Sequence, residues 1–265
     1  MNIFLKEMKA HRKSLMIWCA GMILLIASGM SKYAGLSSTG QSLNAMLEQI
    51  PKSIQVMMGM GTLDLSKATG YYGVLFLYIA LMATIHAAML GATIISKEER
   101  DKTAEFLFVK PVSRKSIILI KMLAALMNIG ILTIISYGSS LLIVGGYSKG
   151  ESVGADISVT IAGLFILQLI FLVTGTAIAA VYKKPKKAAS LSAGVLLAMY
   201  LLSVAVDLND GIKGLKYITP FKYFQASDMM YGGGLDTIYI LLSAAIVVAL
   251  FTLTIVFYKK RDLYL

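Results

Sequence analysis

Tyr71–Ile95 reads YYGVLFLYIALMATIHAAMLGATII, without one formally charged residue, and SKEERDK follows at once over Ser96–Lys102. Hydrocarbon offers no hydrogen-bond partner to a bare backbone. A run of about 20 apolar residues therefore crosses a bilayer as a helix that satisfies itself. The abrupt change to charge marks where the chain returns to water. Five further runs have the same character: Leu15–Met30, Ser116–Val144, Ile157–Tyr182, Ala188–Val206 and Thr237–Tyr258. The expected fold is an all-α polytopic membrane protein with six transmembrane helices, forming a single transmembrane domain over residues 1–265.

Composition agrees. Over 265 residues, 57% are hydrophobic and the formal net charge is +11, with a mean hydropathy of +0.76. The positive charge is unevenly placed. With the N-terminus inside, seventeen Lys and Arg fall in inner segments and seven in outer loops, Lys121 lying within the third helix. Cationic side chains resist translocation, so both termini are expected on the cytoplasmic side. This use of the charge leaves no call for nucleic acid. Trp18, Tyr71, Tyr72, Tyr182, Tyr258 and Tyr264 fall near expected interfaces, where amphipathic rings are stable. The first run is read as a retained helix rather than a cleaved signal, because no Ala-x-Ala site follows it.

The segments outside the spans also carry pattern. Over Asn2–Lys13, Ile3, Phe4, Leu5 and Met8 can share a face opposite Lys6, Lys9, Arg12 and Lys13. This predicts an N-terminal interfacial helix on an anionic leaflet. In the inner loop, Ser96 and Glu99 have capping-box spacing, predicting a new helix from Ser96. Ala104, Leu107 and Phe108 continue it as an apolar stripe, Pro111 ends it, and Ser113 can cap the third span. In the outer loops, Leu43, Met46, Leu47 and Ile50 follow helical spacing. Apolar residues from Ile212 to Met230 predict short extracellular helices between the fifth and sixth spans, and Gly232–Gly234 breaks the chain before the sixth.

Candidate chemistry is sparse. One cysteine, Cys19, and two histidines leave no set of metal ligands. His86 lies mid-span; such a group is a functional-site candidate, against the plainer reading of a neutral histidine bonded to a neighbouring helix. Asn128 and Gln168 read the same way, and Lys121 is expected to snorkel to the inner headgroups. Gly35–Ser42 has phosphate-loop spacing, but Gln41 replaces the lysine and no strand precedes it. No Gly-x-Ser-x-Gly, His-Glu-x-x-His or intramembrane aspartate pair occurs. Nucleotide hydrolysis and membrane-enzyme chemistry therefore lack their machinery.

Taken end to end, the chain resembles the permease subunits of bacterial type-2 ABC (ABC-2) exporters. The resemblance runs through the basic N-terminal stretch, Ile50-Pro51 to Met57-Met-Gly59-Met60, and Ile218-Thr-Pro220-Phe-Lys-Tyr-Phe224. Its most specific part is the inner loop from Glu98-Glu99 through Thr103-Ala-Glu105-Phe-Leu-Phe108 to Pro111-Val-Ser-Arg114, where Lys102 stands at the usual glycine. The resemblance implies a permease forming the translocation pathway as a dimer with a second copy or paralogue, above two separate ABC ATPase subunits in the plasma membrane. ATP and Mg would be bound by those partners, and this chain would need no cofactor. A cytoplasmic coupling helix between the second and third spans would seat Glu98, Glu99, Thr103, Glu105, Phe106, Leu107, Phe108, Pro111 and Arg114 at the ATPase. Thr84, His86 and Ser192 would be pathway contacts. Two alternatives remain open at this point: an immunity or sensor protein that sequesters a membrane-active peptide without an ATPase, and an ion-coupled transporter, against which the scarcity of buried carboxylates counts.

Overall fold

The structure, a computed structural model, describes residues 3–38, 50–57, 59, 60, 63–102, 113–182 and 184–260. Six of its helices are long and apolar enough to cross a membrane. They are α1 (Ile3–Ser38), α3 (Ala68–Arg100), α4 (Arg114–Tyr147), α5 (Gly154–Val181), α6 (Pro185–Leu208) and α8 (Thr237–Lys260). A short α2 (Lys52–Met57) precedes α3. Between α6 and α8 the chain makes two 3₁₀ segments, Asp210–Tyr217 and Pro220–Lys222, and the single turn α7 (Ala226–Met229). No strand occurs among the described residues. The predicted outer helix over Leu43–Ile50 lies outside them except for Ile50, which stands in a bend.

The centre of the bundle is the pairing of α3 with α5. It is closest where glycines meet backbone: a Cβ at Gly91 would stand 2.2 Å from the Leu172 carbonyl oxygen, and one at Gly175 would stand 2.2 Å from that of Ala88. Apolar attraction is weak between helices already in hydrocarbon, so close approach through small residues supplies the packing. Two interhelical hydrogen bonds extend the contact. Thr133 of α4 donates to Gln168 Oε1 of α5 at 2.6 Å, and the Thr176 and Thr254 hydroxyls of α5 and α8 are 3.1 Å apart. The outer faces of α6 and α8 carry exposed Leu197, Leu201, Leu241 and Val248, as helices bordering lipid should.

One expected boundary is replaced. The N-terminal amphipathic segment is not a separate interfacial helix; α1 runs unbroken from Ile3 to Ser38. Ile3 packs on Ile117 of α4, Phe4 and Met8 join the inner core, and Leu5 turns outward, 55% exposed. Three of the four residues of the expected apolar face, Ile3, Phe4 and Met8, thus turn to protein, and Leu5 does not.

The two ends of the bundle differ. One gathers the start of α1, the end of α3, the start of α4 and the end of α8, where Arg114 Nη1 donates to the Lys259 carbonyl at 3.3 Å. This basic end therefore holds both termini of the described chain. At the opposite end, Tyr33 donates to the Ser66 carbonyl at 2.9 Å, and Asp156 accepts from the Tyr231 amide at 2.8 Å. Phe221, Phe224, Met229 and Met230 are buried there. Burial, with Tyr239 stacked 4.9 Å away, pushes the Tyr223 hydroxyl up to about 12.

Candidate functional site

The segment 103–112 joins α3 to α4 at the basic end. Thr103, Glu105, Phe106, Leu107, Phe108 and Pro111 lie outside the described residues; Glu98, Glu99 and Arg114 lie within them. The local sequence sets both flanks. Ser113 caps α4 as its position predicts, its Oγ accepting the Ser116 amide at 3.1 Å. The capping-box reading of Ser96 fails. α3 continues through it to Arg100, and Ser96 Oγ donates to the Ala92 carbonyl at 2.8 Å, a mid-helix bond open to serine that leaves no cap to form. The turn ends in Lys102, with φ +55°, a left-handed conformation that favours glycine. Arg100 Nε bonds Asp101 at 2.9 Å, and this bond holds the Asp101 carboxyl below its usual range.

Just inside these flanks lies a buried charge cluster. Lys121, on α4, is 0% exposed, so the expected snorkelling to headgroups does not occur. Its Nζ donates to both Glu98 oxygens at 2.7 Å, to the Ile94 carbonyl at 2.7 Å and to Glu7 Oε1 at 3.2 Å. The other Glu7 oxygen lies 3.5 Å from Lys97 Nζ and 3.7 Å from His11 Nε2. Two carboxylates thus balance two ammonium groups. An unpaired lysine so buried would be strongly unfavourable, and the ring of acceptors offsets its desolvation. The cluster ties α1 to the last turns of α3 and the first turns of α4. Glu98 therefore faces the interior, whereas Glu99 is half-buried and Arg114 partly exposed.

Sequence reasoning passed over Glu7. The signal was available: it is the one acid among the N-terminal basic residues, and an intramembrane lysine calls for a named partner.

The three pathway candidates are not brought to one place. Thr84 and Ser192 are fully buried and donate to their own helix backbones, at Ala80 and Ala188. His86 is buried against Trp18 of α1, ring centroids 5.4 Å apart, and its Nδ1 has no hydrogen-bond partner. It lines a cavity between α1 and α3 that neither Thr84 nor Ser192 touches. The interhelical hydrogen bond expected at His86 is replaced by the ring contact. Asn128 donates to the Ala124 carbonyl at 2.8 Å and to Met8 Sδ at 3.3 Å, again drawing α1 onto α4. Among the described residues, no cluster of His, Cys, Asp or Glu could hold a metal ion.

A family model described as ABC-2 family transporter protein matches residues 1–263. The chain belongs to the ABC-2 transporter family. No curated protein matches it. Membership makes it a multi-pass membrane component of permease type, not itself an enzyme, of a family whose members associate with ABC ATPase subunits. In this ABC-2 chain the charge cluster sits at the base of segment 103–112.

Proposed function

We propose that the chain is the membrane-spanning permease subunit of an ATP-driven ABC-2 exporter. It forms one transmembrane domain, resides in a bacterial plasma membrane with both termini cytoplasmic, and pairs with a second copy or a paralogue to enclose the pathway. Two ABC ATPase subunits bind ATP and Mg beneath it, and the chain itself holds no cofactor.

In this reading segment 103–112 is a coupling element. Thr103, Glu105, Phe106, Leu107, Phe108 and Pro111 meet the ATPase, with Glu99 and Arg114 at its edges. Glu98 acts through Lys121 as a positioning residue. The observation that carries the reading is the Glu7–Lys121–Glu98 cluster. α3 and α4, the two stems of the loop, are locked to each other and to α1, so a force applied to the loop is delivered to three helices rather than absorbed by a flexible stem. Buried ion pairs suit such a role through geometry more than through net stability. Thr84, His86 and Ser192 are assigned to the pathway, which opens only when α3 and α6 move, since the two hydroxyls are now turned to backbone.

The test is purification of the tagged chain with its ABC ATPase, followed by ATP hydrolysis and transport in proteoliposomes. The Phe106→Asp variant is expected to insert at normal yield but to lose ATPase association or stimulated transport. A variant that binds its ATPase and transports as before would sink the coupling assignment.

A further inference from the structure

Between α1 and α3, in the basic half of the bundle, lies a cavity of about 280 Å³. The helices run antiparallel, and the wall chemistry changes along them. Lys97 and Arg100 form one end, His11, Ser14 and Thr93 the middle, and Trp18 and His86 the other end. From Lys97 to His86, α3 rises about 16 Å, close to the depth of one leaflet's hydrocarbon, about half of 30 Å. Met89 on the wall is 40% exposed, so the side of the cavity opens away from the bundle. At its deep end His86 is only 4% exposed and its Nδ1 is unpartnered. A buried polar atom without a partner is unfavourable, and a turn of the imidazole about its Cβ–Cγ bond would bring it to a ligand hydroxyl that relieves it.

Cations at headgroup level, a wall along one leaflet that mixes Met89 and Leu90 with Ser14 and Thr93, and an unpartnered polar atom at depth define a complementary molecule. We propose that this cavity binds an elongated anionic amphiphile from the adjoining leaflet, its carboxylate or phosphate at Lys97 and Arg100 and a hydrogen-bonding group mid-chain at His86. Leu90 and Trp18 flank its apolar body. Lys97 shares Glu7 with the buried cluster, and Arg100 shares Asp101, so the anion competes with carboxylates already present. The proposal does not rest on the coupling reading, because its readout is binding.

Trp18 is the chain's only tryptophan, so fluorescence excited selectively at tryptophan, beyond the absorption of the 14 tyrosines, reports on this cavity. The experiment titrates the full chain, in phosphatidylcholine nanodiscs, with 12-hydroxystearate, stearate and stearyl alcohol. The expected order of affinity is 12-hydroxystearate, then stearate, then the alcohol. One hydrogen bond gives the hydroxyl roughly a three- to tenfold advantage. His86→Phe should abolish that advantage while both acids still bind. Lys97→Gln combined with Arg100→Gln should bring stearate to the level of the alcohol and leave 12-hydroxystearate above it only by the hydroxyl's advantage, and Asp101→Asn, by freeing the Arg100 fork, should tighten both acids. Equal responses to all three probes, as for lipid merely brushing the helix, or an order unchanged by the charge-removing variants, would overturn the proposal.

Discussion

Lys121 and Glu98 stand 23 residues apart in the chain and 2.7 Å apart inside the bundle, their bond closing the base of the loop that separates them. Because both are buried, the pair behaves unlike a surface ion pair. Removing Lys121 leaves Glu98 buried without its ammonium, and removing Glu98 leaves Lys121 one carboxylate short, at a cost of up to about 3–5 kcal/mol. Glu98→Gln and Lys121→Met are each expected to lower the melting temperature of the detergent-purified chain sharply. The triple variant Glu7→Gln, Glu98→Gln, Lys121→Met should recover much of the loss. Thermal unfolding followed by size-exclusion chromatography checks this; single and triple variants that melt alike would show the cluster to be inert.

The turn after α3 makes a separate prediction. Lys102 adopts φ +55°, where an L side chain is unfavourable by about 1–2 kcal/mol. Lys102→Gly should therefore stabilise this end by about 1 kcal/mol, seen as slower amide exchange at Asp101 and Lys102. Lys102→Val should act oppositely.

The α3–α5 contact yields a third. A side chain at Gly91 or Gly175 meets backbone carbonyls at 2.2 Å, and backbone cannot swing aside as a side chain can. Gly175→Val should destabilise by at least about 1–3 kcal/mol and reduce folded yield. Gly138→Ala, with open space beside it, should leave the yield unchanged. Equal yields would refute the close packing.

Arg114 separates docking from stability. Its bond to the Lys259 carbonyl is exposed and 3.3 Å long, so the loss of that bond in Arg114→Ala should change stability by no more than about 0.5 kcal/mol. If Arg114 borders the ATPase contact, the same variant lowers ATP-driven transport while the melting temperature holds. Unchanged transport would remove Arg114 from the coupling surface.

The spans were legible because hydrocarbon demands long apolar runs, and Thr237–Tyr258 and Ser116–Val144 fall within α8 and α4 to within a few residues. Their ends were harder. Hydropathy reports where side chains change solvent, not where backbone hydrogen bonding stops, so α1 passes through His11 to Ser14 without a break and α3 through Ser96. The pairings that shape the candidate site are farther out of reach. Glu7 meets Lys121 across 114 residues, and Gly91 finds Leu172 only through helix docking; no local period encodes either. Ser113 was readable because a cap acts within three residues.

The charge cluster also constrains biogenesis. Translation delivers Glu7 to the translocon long before Lys121 leaves the ribosome, and Glu98 also precedes its lysine. A nascent chain halted after the second span has two acids at this end and lacks the ammonium that joins them. The N-terminal helix can settle only once the third span has arrived, so truncation before Lys121 should yield a product that membrane proteases clear rapidly.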